Sequence, residues 1–154
     1  MSETEESNIQ PGEPERDIDW ALEILVKAAN TDDTFSPAVV LSVGGAMVGG
    51  RLIGGRQFFD GLMAEIKVAR GEREEGGRTL FELFRQGYGE PPKSDEEAAE
   101  QLKAPVSFVH LKDARYFAAG QKPIPANRGV YWRGKLSAVD AFFFGSLDTE
   151  TTPA

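Results

Sequence analysis

Two glycine pairs, Gly44-Gly45 and Gly49-Gly50, constrain this chain more than any other feature. Both lie inside the apolar stretch over residues 38–53, Ala-Val-Val-Leu-Ser-Val-Gly-Gly-Ala-Met-Val-Gly-Gly-Arg-Leu-Ile. The first pair supplies the positive backbone dihedrals that a two-residue hairpin turn requires. The second falls in the middle of the return strand. Glycine there weakens a regular ladder and predicts a bend, a bulge or the close approach of another backbone. A second β-rich block follows over residues 106–117 and 129–144. Together they predict an α+β fold. Its centre is a curved antiparallel sheet or small open β-barrel of about five strands, covered by helices, with a helical insertion between the sheet halves.

The helical signals fit around that sheet. Over residues 17–29, Ile18, Leu22, Leu25, Val26 and Ala29 make one apolar stripe, with Asp17 as the expected cap and Trp20 as a partly buried core side chain. A second helix is expected over residues 56–70, its core face formed by Phe58, Phe59, Leu62, Met63 and Ile66. The insertion over residues 71–105 opens on a charged, glycine-broken run. A short helical turn around Leu80, Phe81 and Phe84 is expected next. Ser94 and Glu97 then stand at capping-box spacing and predict a further helix ending near Lys103. Residues 1–16 and 148–154 are polar and broken by proline, which predicts disordered tails around a single domain over residues 17–147.

Charge and composition narrow the function classes. The formal net charge is −8, so the surface as a whole repels phosphate backbones and nucleic-acid binding is disfavoured. The chain has no cysteine, which removes disulfides, thiolate nucleophiles and cysteine zinc sites. The N-terminus carries no basic-then-apolar leader. No apolar run approaches membrane-spanning length, and a cytoplasmic protein without membrane contact is expected.

Reaction chemistry is hard to build from what remains. His110 is the one histidine, and no metal-ligand spacing surrounds it. Ser42, Ser107 and Ser137 fall in strand patterns rather than at a nucleophile elbow, and a triad would have to recruit His110 with Asp113 or Asp140. The glycine runs lack the Lys-Ser/Thr of a phosphate loop, although Gly54-Gly55 precedes a helix with Arg51 and Arg56 nearby, an arrangement that fits a weak anion site. No catalytic, cofactor or metal residue is assigned, and no cofactor is expected. Function is sought on the surface instead. The candidate interaction residues are Tyr131, Trp132 and Arg133 in one strand and Phe142, Phe143 and Phe144 in the last. Three consecutive phenylalanines predict burial on both sides of that strand. Homo-oligomerisation through such a surface is left open.

Several segments carry a family resemblance. Asp19-Trp20 leads a helix. Leu-Ser-Val-Gly-Gly stands at 41–45, Val-Gly-Gly-Arg-Leu-Ile-Gly-Gly at 48–55 and Phe58-Phe59 just beyond. Val-His-Leu-Lys-Asp-Ala-Arg stands at 109–115 and Gly-Val-Tyr-Trp-Arg-Gly-Lys-Leu-Ser at 129–137. These are similar to the gas vesicle accessory protein U family across residues 17–147. The resemblance implies a non-enzymatic bacterial protein acting in gas vesicle assembly, clustering or regulation. Its partners would be vesicle shell or accessory proteins, met in the cytoplasm or on the vesicles, and it brings no functional residues with it. The sheet pattern also resembles the small bent barrel of Sm-like proteins, in which Arg133-Gly134 would fall at the strand end that lines an RNA pore. That resemblance implies an alternative, an RNA-binding or adaptor module. The long insertion, Trp132 and the acidic balance depart from it.

Overall fold

The computed structural model describes residues 17–70 and 75–147. The two tails, 1–16 and 148–154, and the start of the charged run at 71–74 lie outside the described residues. The elements follow in the order α1 (Trp20–Thr31), β1 (Ala38–Val43), β2 (Ala46–Ile53), α2 (Gly55–Arg70), α3 (Glu75–Gln86), α4 (Asp95–Lys103), β3 (Phe108–Phe117), β4 (Val130–Lys135) and β5 (Val139–Phe144). A single 3₁₀ turn over Leu136–Ala138 joins the last two strands.

All five strands run antiparallel in the order β4-β3-β2-β1-β5. The expected hairpin forms as read. Gly44 and Gly45 take φ of 57° and 82°, and β1 pairs with β2 from Ala38↔Arg51 to Val43↔Ala46. The Gly49-Gly50 pair marks an irregularity, with the β2–β3 register shifting between Gly49 and Arg51. A side-chain carbon on Gly50 would sit 2.8 Å from the backbone oxygen of Lys112, so the two chains approach as only glycine permits.

The curved sheet or small barrel expected from these glycines is corrected by the strand order. β4 and β5 are the two edges, no pairing joins them, and the five strands form an open sheet flanked by helices. The glycine irregularity is absorbed as a local shift in one ladder rather than as closure of the whole sheet. The likeness to Sm-like proteins rested on the barrel and loses that support.

Each face of the sheet has its own apolar cluster. On the first, Leu22, Val26 and Ala29 of α1 meet Val39, Leu41, Val48, Leu52, Val109 and Leu111. Leu136 of the 3₁₀ turn completes this cluster, and α4 packs against α1. On the second, Phe58 and Phe59 of α2 pack with Ile53, joined by Leu62, Phe81, Tyr88 and Tyr131. Leu41, Leu52 and Leu111 are fully buried. Truncating such a leucine to alanine costs about 2–5 kcal/mol, so this layer supplies much of the stability.

Several local expectations change. Asp19, not Asp17, caps α1, its carboxylate accepting from the Ala21 amide at 2.8 Å. Trp20 is 73% exposed rather than part of the core. It stands two residues before Leu22, about 200° round the helix from the buried stripe. β5 starts at Val139, because residues 136–138 turn away from the ladder. The cap forms as expected, with Ser94 Oγ accepting from the Glu97 amide at 3.2 Å, while the Glu97 carboxylate reaches one residue further back and accepts from the Lys93 amide at 2.7 Å.

Candidate functional site

The strand register decides which candidate residues can act together. In β4, Trp132 lies opposite Leu111 and Arg133 lies opposite His110. Directly opposed residues share a face and neighbours along a strand alternate, so Trp132 joins the α1 side and Arg133 the α2 side. Trp132 is half-buried against the first cluster and donates from Nε1 to the Tyr116 hydroxyl at 2.8 Å. Tyr131 packs in the second cluster, its ring edge-on to Phe58.

Phe142, Phe143 and Phe144 occupy the opposite edge, opposed to Leu41, Val40 and Val39 of β1. Three strands therefore separate them from the Tyr131–Arg133 group. Phe142 packs against the first cluster and touches Phe144 edge-on. Phe143 and Phe144 are 44% and 59% exposed, so the expected burial on both sides of this strand does not occur. β5 closes one side of the sheet with two large apolar side chains facing solvent.

The most organised polar arrangement surrounds Arg133. One of its terminal nitrogens, Nη1, donates both to the Tyr88 hydroxyl at 2.6 Å and to His110 Nε2 at 2.7 Å. Its guanidinium lies 3.7 Å from the centre of the Phe108 ring, a stacking distance. Because arginine only donates, His110 Nε2 must accept. The imidazole is therefore neutral, with its proton on Nδ1. That Nδ1 is buried and has no hydrogen-bond partner among the described residues. Burial, and then the neighbouring positive charge of Arg133, push the His110 pKa down to about 3.

Tyr88 ties this arrangement to the helices. Its ring rests on Gly55 at the start of α2, where any side chain would collide with it. Its carbonyl accepts from Arg56, and Arg56 is in turn paired with Asp33 at 3.0 Å. Gly55 donates its amide to Asn30 at 2.9 Å. The weak anion site considered around Gly54-Gly55 is thus occupied by the protein's own groups. Neither Tyr88 nor Asn30 stands out in the sequence. Tyr88 sits in a glycine- and proline-rich turn whose destination only the fold reveals.

Among the described residues no carboxylate hydrogen-bonds His110, and its Nε2 is engaged by Arg133 rather than by a serine hydroxyl. Asp140 instead accepts from the Gly44 amide at 3.3 Å. Among the described residues no group of three or more histidine, cysteine, aspartate or glutamate side chains is placed to hold a metal, and no helix is long and apolar enough to cross a membrane.

The model of a family described as gas vesicle protein GvpU-like matches residues 19–147. The chain belongs to the GvpU-like family. The match runs from the α1 cap to just past β5, and so takes in both apolar clusters, the Arg133 arrangement and the exposed edge of β5. No curated protein and no solved structure gives a significant match.

Proposed function

We propose that this GvpU-like chain is a non-enzymatic accessory protein of gas vesicle assembly or clustering, working in the cytoplasm through protein–protein contacts. The family match over residues 19–147 carries this reading. The outer edge of β5 supports it: Phe143 and Phe144 place apolar area on a strand whose outer side pairs with no other strand among the described residues, a combination that partner chains can cover. The partners are vesicle shell or other accessory proteins. The Tyr131–Arg133 strand is the second candidate contact, at the other edge of the sheet.

The test is capture of purified vesicle shell and accessory proteins on the immobilised chain, repeated with Phe143→Ser/Phe144→Ser. The expected result is capture by the unmodified chain and its loss in the double variant. Failure of the unmodified chain to retain any vesicle protein would sink the reading.

A further inference from the structure

Among the described residues, the Arg133 guanidinium is hydrogen-bonded along one side only. Nη1 is saturated by Tyr88 and His110, while nothing among the described residues accepts from Nε or Nη2. No carboxylate pairs with Arg133 among the described residues. A half-buried arginine usually carries an acidic partner, because removing the charge from water is costly without one.

Arg133 lines a cleft of about 720 Å³ between the end of α1, the turn after α3 and the segment entering β3. Its walls mix apolar groups, including Phe84, Val106 and Phe108, with the amides of Asn30 and Gln101. The other basic residue on the wall, Lys27, faces Glu23 at 3.7 Å. Among the described residues lining the cleft, Arg133 is therefore the charge without an ion-pair partner. Stacking on Phe108 and the two bonds to Nη1 fix the plane of the guanidinium before any ligand arrives. Such preorganisation favours a planar two-oxygen partner that accepts from Nε and Nη2 in parallel.

We infer that this cleft binds the carboxylate of an acidic side chain on a partner polypeptide, with Arg133 as the bidentate donor and Phe84, Val106 and Phe108 holding apolar neighbours of that side chain. Charge complementarity selects the acid, and the apolar walls select a peptide over a free hydrated ion. The inference deepens the protein-contact reading at Arg133. Its test needs no vesicle protein, so the two can fail separately.

The measurement is an NMR titration at low salt, following the Arg133 Nε–H signal and nearby amides. The probes are a blocked Leu-Glu-Leu tripeptide, its Leu-Gln-Leu counterpart and inorganic phosphate. The glutamate peptide should shift the Arg133 Nε–H and bind about tenfold or more tightly than the glutamine peptide, the effect of one bidentate charged pair. Arg133→Gln should abolish the difference. Arg133→Lys should weaken it, because a point charge lacks the fork, and Lys135→Gln should leave it in place. Equal binding of the two peptides, no binding of the glutamate peptide, or preference for phosphate would each overturn the assignment. Should Arg133→Gln fail to fold, the two-peptide comparison on the unmodified chain decides alone.

Discussion

Arg133 donates to His110 Nε2 across the β3–β4 ladder at 2.7 Å, and this one bond sets the protonation state of the buried imidazole. A second proton on the ring would displace the bond and set two positive charges against each other. The fold therefore holds its one histidine neutral by geometry as well as by burial.

That state has a measurable sign. In the unfolded chain His110 returns to its ordinary value of 6.5, whereas in the folded chain it titrates at about 3. The unfolded state thus binds the extra proton first. His110 contributes its full share of stability above pH 6.5, and this share is lost as pH falls towards 3, by about 1.4 kcal/mol per unit. The imidazole C2–H resonance should stay unshifted between pH 8 and 5. Urea midpoints measured over the same range should fall more steeply for the unmodified protein than for His110→Asn. A normal titration near 6.5 in the folded protein would contradict the buried arrangement.

Gly55 is where the Tyr88 ring rests, so Gly55→Ala forces the ring aside. The expected cost is about 1–3 kcal/mol, as for an overfilled core. The pair between the Tyr88 hydroxyl and Arg133 should loosen with it. Denaturant unfolding gives the first, and the side-chain Nε–H linewidth of Arg133 reports the second. Unchanged stability would place Tyr88 elsewhere.

The α1 cap can be assigned by a pair of substitutions. Asp19→Ala removes the acceptor for the Ala21 amide and should cost about 1 kcal/mol. Asp17→Ala lies ahead of the cap and should change stability by less than about 0.5 kcal/mol. The reverse ranking in thermal unfolding would move the cap back to Asp17.

On the β5 edge, Phe144→Lys exchanges an exposed apolar side chain for a charged one. Stability should change by less than about 0.5 kcal/mol, since the side chain is mostly in solvent. Capture of vesicle proteins should weaken, because a lysine on an edge strand discourages pairing. A large loss of stability would mean that Phe144 serves the core of its own chain instead.

The sequence was legible where a local rule decides the outcome. Gly44-Gly45 announced its turn because two adjacent positive dihedrals have few other uses. Ser94 and Glu97 announced α4 because an N-cap is decided within four residues. Trp20 is misplaced by the sequence reading because its size suggests the core, whereas its position two residues before Leu22 turns it away from the buried stripe wherever the cap lies. The barrel was misread because a glycine pair signals irregularity without saying whether one ladder or the whole sheet absorbs it. The Arg133 arrangement was legible only in part. Arg133 was singled out, but its opposition to His110 is a matter of register and Tyr88 arrives from another layer.

The pairing of Val39 with Phe144 also orders events during synthesis. The first strand leaves the ribosome early, yet the neighbour that covers its outer side is translated after the other four described strands of the sheet. Until then β1 can pair only on the β2 side, leaving a row of amides and carbonyls open to any passing chain. A message cut short before residue 139 would leave that row permanently uncovered. Products truncated ahead of β5 should therefore be far more prone to clump than the full chain.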